Sequence, residues 1–298
     1  MKILNAVYGV PGQYIDITAN LQSRIKNNKL FVIVNNSLAP DPAVGYVKHL
    51  SITVRTDENQ INNYNFAENT VCILPKTSNS KLGIFYSNNY DSTIYPAITA
   101  SLKSIEKAAF GRADIVTCMW HKHPENPFVE LISWTHSSSH LNQILQILQC
   151  LYTAGQVQEY KYVSFLEHDV LYNEFYFDYE DFDSGILSNM NYIGLNRNGW
   201  QSTNQFDRPL SQLTMLFQDA VDHFNSILKN ALIRNSGNLE PYYNMHNLKI
   251  KDWHCKEPNV HINHGRHFTS HFSVYSQSTV PIHSYWGNYQ NYSNLFNF

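Results

Sequence analysis

The chain has 298 residues, 43% of them hydrophobic and 14% aromatic, with a formal net charge of −3 and a pI near 6.5. Such a composition excludes a disordered chain and argues against a protein that grips nucleic acid through bulk positive charge. It suits one large domain, or a domain with a small companion. Cys72, Cys118, Cys150 and Cys255 form no CxxC pair, so neither a zinc ribbon nor a dithiol redox site is expected, and a reducing, cytoplasmic setting is. No stretch approaches 18 apolar residues, and MKILNAVYGVPGQYIDI lacks the apolar core of a signal peptide, so neither a membrane span nor a secretory leader is expected.

Taken in chain order, residues 1–76 predict a small β-domain. KLFVIVNN and VKHLSITVRT cluster or alternate β-formers, ENTVCILP adds a strand ending at Pro75, and Asn35-Asn36, Pro40-Asp41-Pro42 and Gly45 punctuate them. KTSNSK (76–81) reads as a linker to a second domain over 80–298. There the texture changes. GIFY (83–86) reads as a strand, and IYPAITASLKSIEKAA (94–109) has helical spacing at Ile94, Ile98, Leu102 and Ile105. DIVTCMW (114–120) is a second strand. SSSHLNQILQILQCLYTAG (137–155) is an amphipathic helix, with Leu141, Ile144, Leu145, Leu148 and Leu151 on its apolar face and Gly155 as its stop. YVSFL (162–166) is a third strand. Strand, helix, strand, helix, strand predicts an α/β, doubly wound parallel sheet. RPLSQLTMLFQDAVDHFNSIL (208–228) reads as a further long helix and SGNLEPYYN (236–244) as loop.

The strand YVSFL runs directly into Glu167, His168 and Asp169. Ligands of open α/β sheets sit beyond the carboxyl ends of the strands, so acidic residues there are well placed to meet one. Alternation along an extended chain predicts Glu167 and Asp169 on one side and His168 on the other. Two converging carboxylates repel unless a cation or a shared proton relieves them, and a hard divalent cation is their usual partner beside phosphate. Three adjacent residues alone point first to a strand end carrying solvated charges. His261, His264, His267 and His271 crowd a second segment, KEPNVHINHGRHFTSHFSVY. Pro258, Gly265 and the β-branched residues disfavour a helical zinc-binding face. A single histidine joining distant carboxylates as a third ligand fits better, a donor set that suits Mn²⁺.

Together these segments resemble glycosyltransferases of the GT-A fold, in which an acidic motif on the central strand holds a divalent cation against a sugar-nucleotide diphosphate. YVSFLEHDVLY matches that motif in Glu-x-Asp form. GIFYSNNYDSTIYPAITASLKSI, FLEHDVLYNEFYFDY, SQL, NLEP and PNVHINHGRHFT follow the motif order of a viral and bacterial group of these enzymes, over roughly residues 80–272. The resemblance implies a fold class of α/β, GT-A type, and a donor that is a nucleotide sugar, expected to be a UDP-sugar, with Mn²⁺ or Mg²⁺ as the cation. It implies Asp169 as principal metal ligand, His264 as its distant partner, and Glu167 as a ligand through water or a contact to the ribose. Tyr86, Ser87, Asn88 and Asn89 are implied in the nucleoside pocket, with Ser138, Ser139 and Asn142 from the following helix start. Asn88-Asn89 departs from the group, where an acidic residue is common. Glu240, before proline as in the resembled EP motif, is implied as general base should the transfer invert; a retaining enzyme needs none. Residues 1–76, through AVYG, DIT and NKLFVIVNNSLAPDPAVGYVKHLSITV, are similar to a small accessory β-module attached to unrelated proteins.

Three functions compete: a metal-dependent glycosyltransferase acting on a hydroxyl of a glycan, a protein or a modified DNA base; a non-catalytic nucleotide- or sugar-binding protein of the same fold; and a phosphotransferase or hydrolase. The Glu167, Asp169 and His264 set argues against the second. The absence of GxxxxGK[ST] weighs against the third. Arg197, Arg208, Arg234 and Lys249 to Lys256 supply some charge for a nucleic-acid acceptor, but the overall balance favours glycan or protein.

Overall fold

Alternation through HLSITVR turns Leu50, Ile52 and Val54 inward and leaves the residues between them half-exposed, as a one-sided sheet requires. This strand, β4 (His49–Arg55), pairs antiparallel with β1 (Lys2–Val10) and β5 (Ile61–Ala67), and β1 carries β2 (Gln13–Asp16) on its other side. A bulge between Ile3 and Asn5 keeps both Ile3 and Ala6 in the core. The helix α1 (Thr18–Ser23) adds Leu21, and the antiparallel pair β3 (Leu30–Ile33) and β6 (Val71–Leu74) adds Leu30, Val32, Cys72 and Leu74. Lys48 is buried between Asp41 and Glu68, at 3.2 and 3.1 Å, and the Tyr8 hydroxyl donates to Glu68. The computed structural model describes residues 1–25, 28–75, 79–88, 94–135, 139–202, 208–234, 249–262 and 279–296. Contacts divide it into Met1–Ser78 with Thr153–Glu159, and Asn79–Tyr152 with Tyr160–Phe298.

In the second unit the expected strands and helices form as β7 (Lys81–Tyr86), α2 (Tyr95–Ala109), β8 (Asp114–Met119), β9 (Val129–Ile132), α3 (His140–Gly155) and β10 (Tyr162–Glu167). Beyond them lie β11 (Val170–Leu171), β12 (Ile186–Asn189), β13 (Tyr192–Asn196), β14 (Gly199–Ser202), β15 (Leu213–Leu216), α4 (Phe217–Arg234), β16 (Ile250–Trp253) and β17 (Asn259–Ile262). The large sheet has seven strands in the order β16-β12-β15-β10-β7-β8-β9. From β10 through β9 all neighbours run parallel, and β15 runs antiparallel to both β10 and β12. The chain therefore builds outward from β7 to β8 and β9, then crosses back to place β10 on the other side of β7. The strand order reverses between β7 and β10. A smaller sheet runs β11-β17-β13-β14, with Thr279–Val280 on its edge.

Every residue from Tyr162 to Leu166 is inaccessible to solvent. Tyr162 and Leu166 join Ile94, Ile98, Leu102 and Ile105 of α2 in one cluster, while Phe165 meets Phe224 of α4, ring centroids 5.2 Å apart. Each large apolar side chain buried this way contributes about 1.5–3 kcal/mol. Ser164, inside the same strand, is satisfied by the Thr214 hydroxyl at 2.8 Å. Gly83 lets β7 approach closely: a Cβ there would stand 2.5 Å from Ile115 Cδ1.

Three expectations are corrected. The segment 208–228 is not one helix: Leu210–Gln212 forms a 3-10 turn, LTML is strand β15, and α4 begins at Phe217. Leu210, Leu213 and Leu216 fit helical spacing, but Thr214 and Met215 sit between β10 and β12 and pair with both. The sheet is accordingly mixed and not wholly parallel. Alternation also fails beyond Glu167, because His168 and Asp169 form the turn between β10 and β11.

Candidate functional site

The carboxyl ends of β7 and β10 lie side by side, with Tyr86 and Glu167 as register partners. The Tyr86 hydroxyl donates to Glu167 Oε1 at 2.7 Å. Burial, reinforced by the charge of Asp169, pushes the Glu167 carboxyl up to about 7, against the opposing hydrogen bonds from Tyr86 and Ser211. At neutral pH this group is poised between its protonated and ionised forms.

The turn carrying Asp169 is held from three directions. From α2, the Ser101 hydroxyl donates to the carbonyls of His168 and Val170, on either side of Asp169. The Ser104 hydroxyl accepts the Tyr172 backbone N–H, and the Tyr172 hydroxyl accepts that of Glu167. From β17, the Ile262 N–H donates to the Asp169 carbonyl at 2.7 Å, and His261 is the register partner of Val170. Ser101 and Ser104 face the sheet because they lie one turn apart on the helix side that carries Leu102 and Ile105 into the core.

A polar cluster borders the end of β7. Asn88 Nδ2 donates to the Ser139 carbonyl at 2.8 Å, and Asn142 Nδ2 donates to Asn88 Oδ1 at 2.6 Å. The hydroxyls of Ser133 and Thr135 both donate to Asn142 Oδ1, and Gln146 Nε2 donates to the Ser87 carbonyl at 2.9 Å. Ser87, Asn88, Ser139 and Asn142 are thus brought together, and Tyr86 and Glu167 form a second group with Asp169 following in the turn. Asn89, Ser138, Glu240 and His264 lie outside the described residues. Ser101, Tyr172 and Ser211 lie in the motifs quoted above, but neither they nor Gln146 receive a role of their own from the sequence. An apolar helix face interrupted by Ser101 and Ser104 was the one available signal.

The oxygens of Glu167 and Asp169 are hard donors that suit Mg²⁺ or Mn²⁺. Burial first, and the charge of Asp169 second, raise the Glu167 carboxyl, so a cation placed there would favour its ionised form. These two residues fit a divalent cation in part: among the described residues, no group of three His, Cys, Asp or Glu side chains is gathered for a metal. No described helix is long and apolar enough to cross a membrane.

No protein-family model matches the chain, and the curated proteins give no match. Among solved structures, the chain is similar to the galactosyltransferase LgtC in complex with donor and acceptor sugar analogs, at 11% identity over 57% of this chain and 72% of that one, with a TM-score of 0.34. It is similar to residues 1–349 of S. aureus TarS in complex with UDP-GlcNAc, at 14% identity over 68% and 62%, TM-score 0.36. A glycosyltransferase involved in glycosylation of the major capsid of PBCV-1 gives 11% identity over 60% and 91%, TM-score 0.34. The structural neighbours are glycosyltransferases, and each superposition is too loose to establish a shared fold.

Proposed function

We propose that the chain is a metal-dependent glycosyltransferase of GT-A type, using a nucleotide sugar, a UDP-sugar by expectation, as donor to a hydroxyl-bearing acceptor. One observation carries this reading: the Tyr86–Glu167 pair and the Asp169 turn stand at the point where the sheet's strand order reverses. Where the strand order reverses, open α/β sheets bind ligands beyond the carboxyl ends of the strands. Two carboxylates at that place suit a cation and the diphosphate it neutralises.

In this reading Glu167 and Asp169 hold the cation, with His264 as distant partner. When bound, the cation supplies Lewis-acid stabilisation of the departing nucleoside diphosphate. The protein's own groups do the rest. Tyr86 orients the Glu167 carboxylate, Ser101 and Ser104 fix the turn, and Ser87, Asn88, Asn89, Ser139 and Asn142 offer amide and hydroxyl groups to the nucleoside. Glu240 takes the acceptor's proton if the transfer inverts configuration. Residues 80–298 form the transferase domain, and 1–76 an accessory β-domain.

The test is a thermal-shift panel of UDP, GDP, CMP and ADP, with and without Mn²⁺, on wild type and Asp169→Ala. A ligand bound only by the native state raises the melting temperature with the logarithm of its concentration over Kd. A shift with one nucleotide that requires Mn²⁺ and vanishes in Asp169→Ala supports the site and identifies the donor class. A folded protein that responds to none of the four refutes it.

A further inference from the structure

A buried network of amides decides which nitrogen of His261 carries the proton. Asn173, Asn189, Gln212, Asn259 and His261 are all buried; backbone groups orient Asn173, Asn189 and Asn259, and two of these in turn orient Gln212. The Glu257 carbonyl can only accept, and it takes an N–H from Asn173 Nδ2 at 2.7 Å. That same Nδ2 and the Asn173 backbone N–H both donate to one atom of Asn259, at 2.8 and 3.0 Å, which is therefore Oδ1. Asn259 must turn its Nδ2 to Gln212, at 2.8 Å. From the other side, the backbone N–H groups of Asn191 and Cys255 both donate to Asn189 Oδ1, each at 3.1 Å. Asn189 must therefore also turn its Nδ2 to Gln212, at 2.9 Å. An atom receiving two N–H groups is Oε1. The remaining amide atom of Gln212 is its NH₂, and it lies 3.1 Å from His261 Nε2. Two N–H groups cannot face each other across that distance, so His261 Nε2 is a lone pair.

We propose that Gln212 is a positioning residue that locks His261 in the Nδ1–H tautomer, so that beside the Asp169 turn the imidazole offers a hydrogen-bond donor and no ring lone pair to a metal. Its Nε2 lone pair is taken by Gln212 and its Nδ1 is protonated, so of the crowded histidines this one is not a ligand. Strand β17 sets the His261 backbone beside the turn through the Val170–His261 register and the Ile262 N–H to the Asp169 carbonyl, and the ring packs on Tyr192, centroids 5.2 Å apart. A ring N–H can serve only an acceptor, the service that partners of metal-binding carboxylates commonly give. Burial keeps the ring neutral, pushing it down to about 4 against the charge of Asp169. The SQL and PNVHI segments thereby acquire a joint task. The tautomer stands on the hydrogen bonds alone; its service to a metal site rests on the glycosyltransferase reading.

Long-range proton–nitrogen NMR spectra of the full, metal-free chain with ¹⁵N-histidine test the assignment, with His261 identified by the signals lost in His261→Gln. Between pH 6 and 8 wild type is expected to show a pyrrole-type Nδ1 and a pyridine-type Nε2. In Gln212→Met no side chain donates to Nε2, and the ring is expected to leave the single Nδ1–H form. A wild type protonated at Nε2, or averaging both tautomers, overturns the proposal whether or not the variant folds, as does a folded Gln212→Met with the wild-type pattern. Mn²⁺ affinity in that variant is expected to fall about 10-fold or more; an unchanged affinity with the lock lost overturns the positioning role. A locked Nδ1–H with no nucleotide response in the thermal-shift panel refutes the glycosyltransferase reading and leaves the tautomer standing. A nucleotide response with Nε2–H does the reverse.

Discussion

Replacing Tyr86 by phenylalanine removes one hydroxyl and leaves the ring in its buried place, so it isolates the bond to Glu167. A hydrogen bond to a charged acceptor contributes about 1.5–3 kcal/mol, and one to a neutral partner about 0.5–1.5 kcal/mol. The difference gives the variant a pH signature. In wild type the Glu167 carboxyl sits near 7, above the ordinary glutamate value of 4.5. The native state therefore keeps a proton that the unfolded chain releases, and stability falls as pH rises from 4.5 to 7 and then levels. That displacement amounts to roughly 3 kcal/mol at 1.36 kcal/mol per pH unit. Tyr86→Phe withdraws a bond that favours the ionised form, so its carboxyl moves higher and the falling window extends upward by about one pH unit. The loss relative to wild type should be about 1 kcal/mol at pH 4 and grow to about 2–3 kcal/mol at pH 8.5. Urea denaturation of both proteins in chelator, at half-unit steps from pH 4 to 9, measures it. A loss that stays flat across that range refutes the argument, because the hydroxyl would then make no distinction between acid and carboxylate.

Other outcomes follow from the same geometry. If Glu167 holds the cation as proposed, Mn²⁺ must displace its proton, so the affinity should fall about tenfold for each pH unit below 7 and level above 7.5, as titration calorimetry would show. Ser101→Ala deletes the two bonds that straddle Asp169; stability should fall by about 1 kcal/mol, and Mn²⁺ affinity about tenfold. Gly83→Ala drives a methyl group to 2.5 Å from Ile115 Cδ1 and 2.9 Å from Leu166 Cδ1, and should cost about 1–3 kcal/mol in urea denaturation through overpacking.

The parts of the fold that could be read from sequence are those whose periodicity answers to one buried face. The α2 positions Ile98, Leu102 and Ile105 and the fully buried YVSFL run needed no distant partner to be recognised. Strand β5 escaped notice because INNYNFA is half-exposed on both sides and is held by its pairing with β4. LTML was misread as helix because its leucines suit either period, and its strand character comes from neighbours on both sides. At the site, the acidic strand end was visible, but the turn that breaks alternation after Glu167 was not, since no glycine or proline marks it. The amides around Gln212 were illegible for a stronger reason: Asn173 and Asn259 are polar residues far apart in the chain, and nothing in either neighbourhood foretells that they bond.

The closure of β17 on the Asp169 turn also orders events at the ribosome. β7, α2, β8, α3 and β10 emerge together and are mutually parallel neighbours or their connections, so they can pack before the rest of the chain is made. Ser211, Gln212, His261 and the Ile262 N–H arrive later, roughly 5–20 s after Asp169 for the last of these at a synthesis rate of about 5–20 residues/s. Until then Glu167 has Tyr86 and the Asp169 turn has Ser101, but the side that β15 and β17 will cover stays open to water. The two acids are thus enclosed last, by the part of the chain that is made last.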